Sequence, residues 1–154
     1  MWASEQLKGR QVYLDANVFI YAFETPASVL LPNRALGDIF RLISQDLLWA
    51  RTSALTRAEV LVHPLRHGLT ALEADYRLLL NGQQGIAVDA ITDAVLDQAV
   101  SLRASLGLKL ADAIHVASAI TAGCDCLVSV DSGLLCCSEH IEILPLSKLT
   151  DTRP

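Results

Sequence analysis

The sequence predicts an α/β fold built on a parallel sheet. Two observations carry that reading. Short β-like runs alternate with longer helical ones along the chain, and several helical runs are rich in alanine, whose small side chain lets a helix lie close against a sheet. Composition agrees: 154 residues, 52% hydrophobic and 19% charged, suit one domain spanning 1–154 with a core of its own.

The elements follow in chain order. Residues 11–14 (QVYL) read as a short strand, and 17–23 and 31–44 as helices with Pro26 and Pro32 near the break between them. A second strand is expected over 47–51. Ser53 is a candidate N-cap for a helix running through Glu59 to Val62, which Pro64 interrupts or ends. A helix over 70–80 closes at Asn81-Gly82, and 86–88 form a short strand. Residues 92–106 carry apolar side chains at 91, 95, 96, 99, 102 and 106, a helical spacing that stops at Gly107. A small-residue helix over 110–122 ends at Gly123, strands follow at 126–130 and 141–144, and the chain frays after Leu149.

Composition also limits the function. No apolar stretch is long enough to span a membrane, and residues 1–10 lack the apolar block of a signal peptide, so a cytoplasmic protein is expected. Cys124, Cys126, Cys136 and Cys137 form neither of the CxxC pairs a zinc site favours, and buried reduced thiols are expected. The net charge of −5 runs against a nucleic-acid binder. An acidic metal cluster offsets part of that objection, because a bound cation would neutralise it. Residues 51–67 form a local exception, with Arg51, Arg57, Arg66, His63 and His67 against Glu59 alone. That patch reads equally as a solvated helix pair or as phosphate contact.

Four acids stand where burial is expected. Asp15 follows the apolar run Val12-Tyr13-Leu14, and Asp131 follows the run 126–130. Turns after parallel strands are where α/β sheets bind ligands. Asp112 opens a helix of apolar and small residues, and Glu59 lies inside Ala58-Glu59-Val60-Leu61-Val62. Singly, each has an ordinary explanation. Asp15 and Asp112 suit a helix first turn, Asp131 suits a turn in Asp131-Ser132-Gly133, and Glu59 suits a surface ion pair. Together they point to a carboxylate cluster, which repels itself unless a cation compensates it. Oxygen-only ligands favour Mg²⁺ or Mn²⁺. An ion so held activates water and neutralises charge on a phosphate. His115, three residues after Asp112, shares its helix face and is expected as a packed or hydrogen-bonding histidine.

At these residues the chain resembles the PIN domain family. Tyr13-Leu14-Asp15-Ala16-Asn17-Val18-Phe19-Ile20-Tyr21 resembles its opening motif, and Ser53-Ala54-Leu55-Thr56-Arg57-Ala58-Glu59-Val60 its second. Leu110-Ala111-Asp112-Ala113-Ile114-His115-Val116-Ala117-Ser118-Ala119 resembles the third, and Val128-Ser129-Val130-Asp131 the fourth. Val130 departs from the pattern, which often has Asn or Asp there. The resemblance covers nearly the whole chain. It implies a three-layer α/β/α sandwich with a central parallel β-sheet, and a Mg²⁺- or Mn²⁺-dependent ribonuclease, most often the VapC-type toxin of a bacterial toxin–antitoxin pair. It implies an RNA substrate, a small VapB-like antitoxin partner and a homodimer. By motif position Asp15, Glu59, Asp112 and Asp131 match the acidic quartet that binds metal and catalyses, and Asn17, Ser53 and Ser129 match its supporting positions.

Two other readings stand beside it. One is a PIN-like fold kept as a catalytically silent interaction module. The other is a Mg²⁺-dependent phosphotransfer receiver-like domain, for which Asp89 and Lys148 would serve as phosphoacceptor and strand-end lysine. A receiver carries adjacent acids after its first strand, whereas Asp15 stands alone there.

Overall fold

The computed structural model describes residues 3–26, 30–130 and 132–150. A 3-10 turn at Ala3–Leu7 leads into β1 (Gln11–Leu14), α1 (Ala16–Glu24), α2 (Leu30–Ser44), β2 (Trp49–Ser53), α3 (Ala54–Val60) and α4 (Val62–His67). Then come α5 (Thr70–Leu79), β3 (Ile86–Asp89), α6 (Asp93–Leu106), α7 (Leu110–Thr121), β4 (Cys126–Ser129), a second 3-10 turn at Leu135–Cys137, β5 (Glu142–Pro145) and α8 (Leu146–Thr150). The strands form one sheet in the order β3-β2-β1-β4-β5, and every neighbouring pair is parallel. No helix among the described residues is long and apolar enough to cross a membrane.

Alternation along each strand sends successive side chains to opposite faces, so the sheet carries two cores. Val12, Leu14, Cys126 and Val128 point to one face and pack with Phe19 of α1, Ile39 and Leu42 of α2, Val60 of α3, and Leu146 and Leu149 of α8. Tyr13, Leu127 and Ile143 point to the other, against Val95, Ala99 and Leu102 of α6 and Ala113, Val116 and Ala117 of α7. Helices on both faces make the three-layer α/β/α arrangement expected from the motifs. Each wholly buried leucine, isoleucine or phenylalanine contributes about 1.5–3 kcal/mol. The alanines of α7 serve the purpose read from the sequence, letting the helix lie close to Tyr13 and Leu127.

Most element boundaries shift by a residue or so from expectation, and four of the differences have a clear local reason. The second strand starts at Trp49 and runs on to Ser53, because β1 on one side and β3 on the other set its register, from Gln11↔Trp49 to Ser53↔Asp89. The helix break falls at Leu61, ahead of Pro64, and Pro64 sits in the first turn of α4, where a missing backbone N–H costs nothing. Thr92 lies one position before α6 and caps it, accepting from Val95 N, while Gly107 ends that helix in the left-handed conformation at φ 68°. Residues 146–150 form α8 because Leu146 and Leu149 are buried against the core.

The topology fixes where a site can be. From β1 the chain works outward through β2 to β3, then returns to place β4 on the other side of β1. The crevice beyond the carboxyl ends of β1 and β4 is thus the topological switch point of the sheet, the usual ligand-binding location in open α/β folds.

Candidate metal centre

Asp15 stands at that switch point. It follows the last residue of β1, its backbone N–H reaches Val128 O of β4 at 3.4 Å, and it is 4% exposed. Its extended backbone (φ −77°, ψ 170°) makes it the N-cap of α1, and its carboxylate accepts from Val18 N at 3.2 Å. Asp15 therefore caps α1 from just outside its first turn, not within it, and stands at the sheet's carboxyl end. The helix start favours negative charge there.

Glu59 lies in the last turn of α3, half-buried, with Oε1 2.9 Å from Nε2 of His115 on α7. The surface ion pair that would explain Glu59 with a neighbouring arginine is not formed among the described residues; its partner is this buried histidine. The other ring nitrogen, Nδ1, lies 2.8 Å from the Tyr13 hydroxyl, which is also within 2.8 Å of Ser53 Oγ. Tyr13 and His115 meet edge to face, their ring centroids 5.8 Å apart. Burial pushes the Tyr13 phenol well above its ordinary value, and the nearby Asp15 charge adds to the shift, so the hydroxyl stays protonated as a donor.

Asp112 occupies the first turn of α7, one turn before His115, and is half-buried. Its charge is felt by Cys137, whose thiol is pushed up to about 12 by burial first and by the neighbouring Cys136 next. Asp112 makes no ion pair among the described residues. Asp131, the fourth acid, lies outside the described residues. Among those residues no three His, Cys, Asp or Glu side chains form a metal-holding group. What the fold does bring together is the set of segments that carry the acids, with α3 and α7 joined through His115 and both joined to β1 through Tyr13. The candidate ligands those segments carry are carboxylates, a donor type that suits a hard divalent ion.

The supporting positions behave differently from one another. Ser53 sits at the N-cap of α3, yet its hydroxyl makes no capping bond because the Tyr13 hydroxyl engages it instead. Asn17 is exposed and lines a cleft of ≈ 450 Å³ with Ile20, Tyr21, Glu24 and Val130. Ser129 is the buried last residue of β4. Tyr13 and the full reach of His115 were not foreseen from the sequence. The usable signal was a tyrosine in a buried parallel strand, whose hydroxyl must find a partner.

Other expectations resolve plainly. Arg51 leaves the basic patch, pairing with Asp89 at 2.5 and 3.0 Å at the edge strand. That bond engages the acid a receiver would phosphorylate, and Lys148 lies in α8 beyond the end of β5. Arg57, Arg66, His63 and His67 remain exposed, with His63 3.5 Å from Glu24. All four cysteines are free, but Cys136 is exposed, against the expectation of burial, because its 3-10 turn presents it to solvent while Cys137 turns inward.

A family model described as PIN domain matches residues 12–135. No curated protein matches the chain. Among solved structures, VapBC2 from Rickettsia felis bound to a DNA fragment from its promoter aligns with TM-score 0.62 at 14% identity, over 88% of this chain and 98% of that one. FitAcB from Neisseria gonorrhoeae aligns with TM-score 0.60 at 17% identity over the same shares, 88% and 98%. A toxin–antitoxin complex from Klebsiella pneumoniae aligns with TM-score 0.59 at 21% identity, over 79% of this chain and 88% of that one.

Proposed function

Since this chain belongs to the PIN domain family, we propose that it is a Mg²⁺- or Mn²⁺-dependent ribonuclease, the toxin of a toxin–antitoxin pair acting in the cytoplasm. Asp15, Glu59, Asp112 and Asp131 would hold the ion. The observation that carries the reading is the placement of Asp15, Glu59 and Asp112 on three segments joined by one buried polar chain beside the sheet's switch point.

A divalent ion bound there supplies Lewis-acid activation of water and neutralises charge developing on a phosphate. The protein's own part is positioning. Asp15 is fixed by the α1 N-terminus, and Glu59 is fixed by His115. Exposed Arg57 shares α3 with Glu59, and Arg66 follows on α4, which offers phosphate-binding charge near the acids. With aromatics at 5%, RNA recognition rests on backbone and shape more than on base stacking. The antitoxin partner, a small VapB-like protein, and a homodimeric state are proposed from the likeness to the solved toxin–antitoxin structures.

The test is cleavage of single-stranded RNA with Mn²⁺ and with EDTA, comparing wild type and Asp112→Asn. Cleavage by wild type that requires Mn²⁺ and is lost in the variant supports the proposal. Equal cleavage by both proteins, or none by wild type, overturns it.

A further inference from the structure

The four acids are not the whole of the machinery. A chain of hydrogen-bonded side chains runs from Ser53 through Tyr13 and His115 to Glu59, with each step between 2.8 and 2.9 Å. Three of its members are wholly or almost wholly buried: Tyr13 and Ser53 at 0% and His115 at 4%. Only Glu59 reaches the surface. Buried polar groups cost folding energy unless each is satisfied. An apolar triplet under α7 would meet the packing need at no such cost.

Placement explains what the chain accomplishes. Tyr13 lies two residues before Asp15 on β1, His115 one turn after Asp112 on α7, and Ser53 immediately before α3, which carries Glu59. One continuous polar chain thus braces every described segment that bears a candidate ligand. A carboxylate only accepts hydrogen bonds, so Nε2–H of His115 donates to Glu59 Oε1. The imidazole is held from behind by the Tyr13 hydroxyl and edge-on by its ring.

We propose that His115 and Tyr13 are positioning residues that hold Glu59 in the orientation from which it serves the metal site, an inference that rests on the nuclease reading above. Neither residue touches RNA or the ion. Their action is through Glu59, as outer-shell partners orient metal ligands elsewhere. Glu59 ends a two-turn helix and is half-buried, so without the histidine its long side chain would sample several rotamers.

The experiment compares wild type, His115→Leu, His115→Gln and Tyr13→Phe by Mn²⁺ titration calorimetry and by steady-state RNA cleavage, with thermal melts confirming folding. Leucine keeps bulk without a donor, glutamine restores an amide donor near the Nε2 position, and phenylalanine removes one oxygen from a retained ring. His115→Leu is expected to weaken Mn²⁺ binding and lower kcat by roughly 10–100-fold, the scale of lost outer-shell partners, with KM for RNA unchanged. His115→Gln should recover several-fold of that loss, and Tyr13→Phe should lose about threefold to tenfold. Equal losses in the leucine and glutamine variants, or folded variants with wild-type Mn²⁺ affinity and kcat, overturn the positioning role. If a histidine variant fails to fold, Tyr13→Phe decides the matter alone. An inactive wild type that binds no Mn²⁺ overturns the nuclease reading itself and this inference with it.

Discussion

The amino end of the parallel sheet and the switch point at its carboxyl end treat their acids differently, although Asp89 at the carboxyl end of the edge strand β3 is paired with Arg51. At the amino end, charge is closed internally. Arg10 pairs with Glu142, Gln11 N donates to Asp125 Oδ2 at 2.8 Å, and the Gln11 side chain donates to Ala122 O at 2.8 Å. At the carboxyl end, Asp15 accepts from a backbone N–H, Glu59 meets a histidine, and Asp112 makes no ion pair among the described residues. Among the described residues no arginine or lysine pairs with Glu59 or Asp112, although Arg57 is only two residues from Glu59. One end uses its acids to join strands. The other places Asp15 where a parallel sheet gathers its ligand-binding turns.

That contrast can be broken experimentally, and the largest effect belongs to the carboxyl end. Asp15→Asn and Asp112→Asn are each expected to lower Mn²⁺-dependent cleavage by roughly 10²–10³-fold, the scale of losing one preorganised electrostatic group. The thermal midpoint of Asp112→Asn without metal should stay at or above that of wild type, since a charge is removed from an acidic region. Cleavage rates and melting curves on the same preparations check both statements.

Between the two ends lies the apolar body, where substitution should unfold the protein without favouring either end. Phe19→Ala empties a wholly buried position in the core under α2 and is expected to cost about 3–5 kcal/mol in urea unfolding.

The amino end supplies the pH dependence. Cys126 opens β4 beside Arg10 and Asp125, and burial pushes its thiol from the ordinary value of 9.0 up to about 12. Between those values the folded protein keeps a proton that the unfolded chain releases. The stability present below pH 9 is therefore lost progressively as pH rises towards 12, by up to about 1.4 kcal/mol per pH unit from this group. Urea unfolding at pH 8.0 and 10.5 should show the fall, and Cys126→Ala should flatten it. The smallest effect is expected from Glu142→Gln, which breaks a partly exposed pair at the same end. It should change stability by less than about 1 kcal/mol and leave cleavage unaltered.

How much of this was legible beforehand follows from the range over which each signal acts. The helix over 92–106 was visible because its apolar spacing and Gly107 are local, and the structure moves its start by one residue to admit Thr92 as the cap. Asp15 at the end of β1 was visible for the same reason. Ser53 holds the N-cap position its type suggests, but its hydroxyl makes no capping bond, because Tyr13, 40 residues away in sequence, engages it. The bond from His115 to Glu59 spans 56 residues, so nothing local announces it. The helix at 146–150 has too few apolar positions for a periodicity, and burial of Leu146 and Leu149 against the core decides it.

The central claim is spatial, and anomalous diffraction from crystals grown with Mn²⁺ tests it most directly. A manganese peak is expected beyond the carboxyl end of β1, about 2.1 Å from carboxylate oxygens of Asp15 and Asp112. Manganese found only on outlying acids such as Asp38 or Glu73, with no peak beside Asp15, would contradict it.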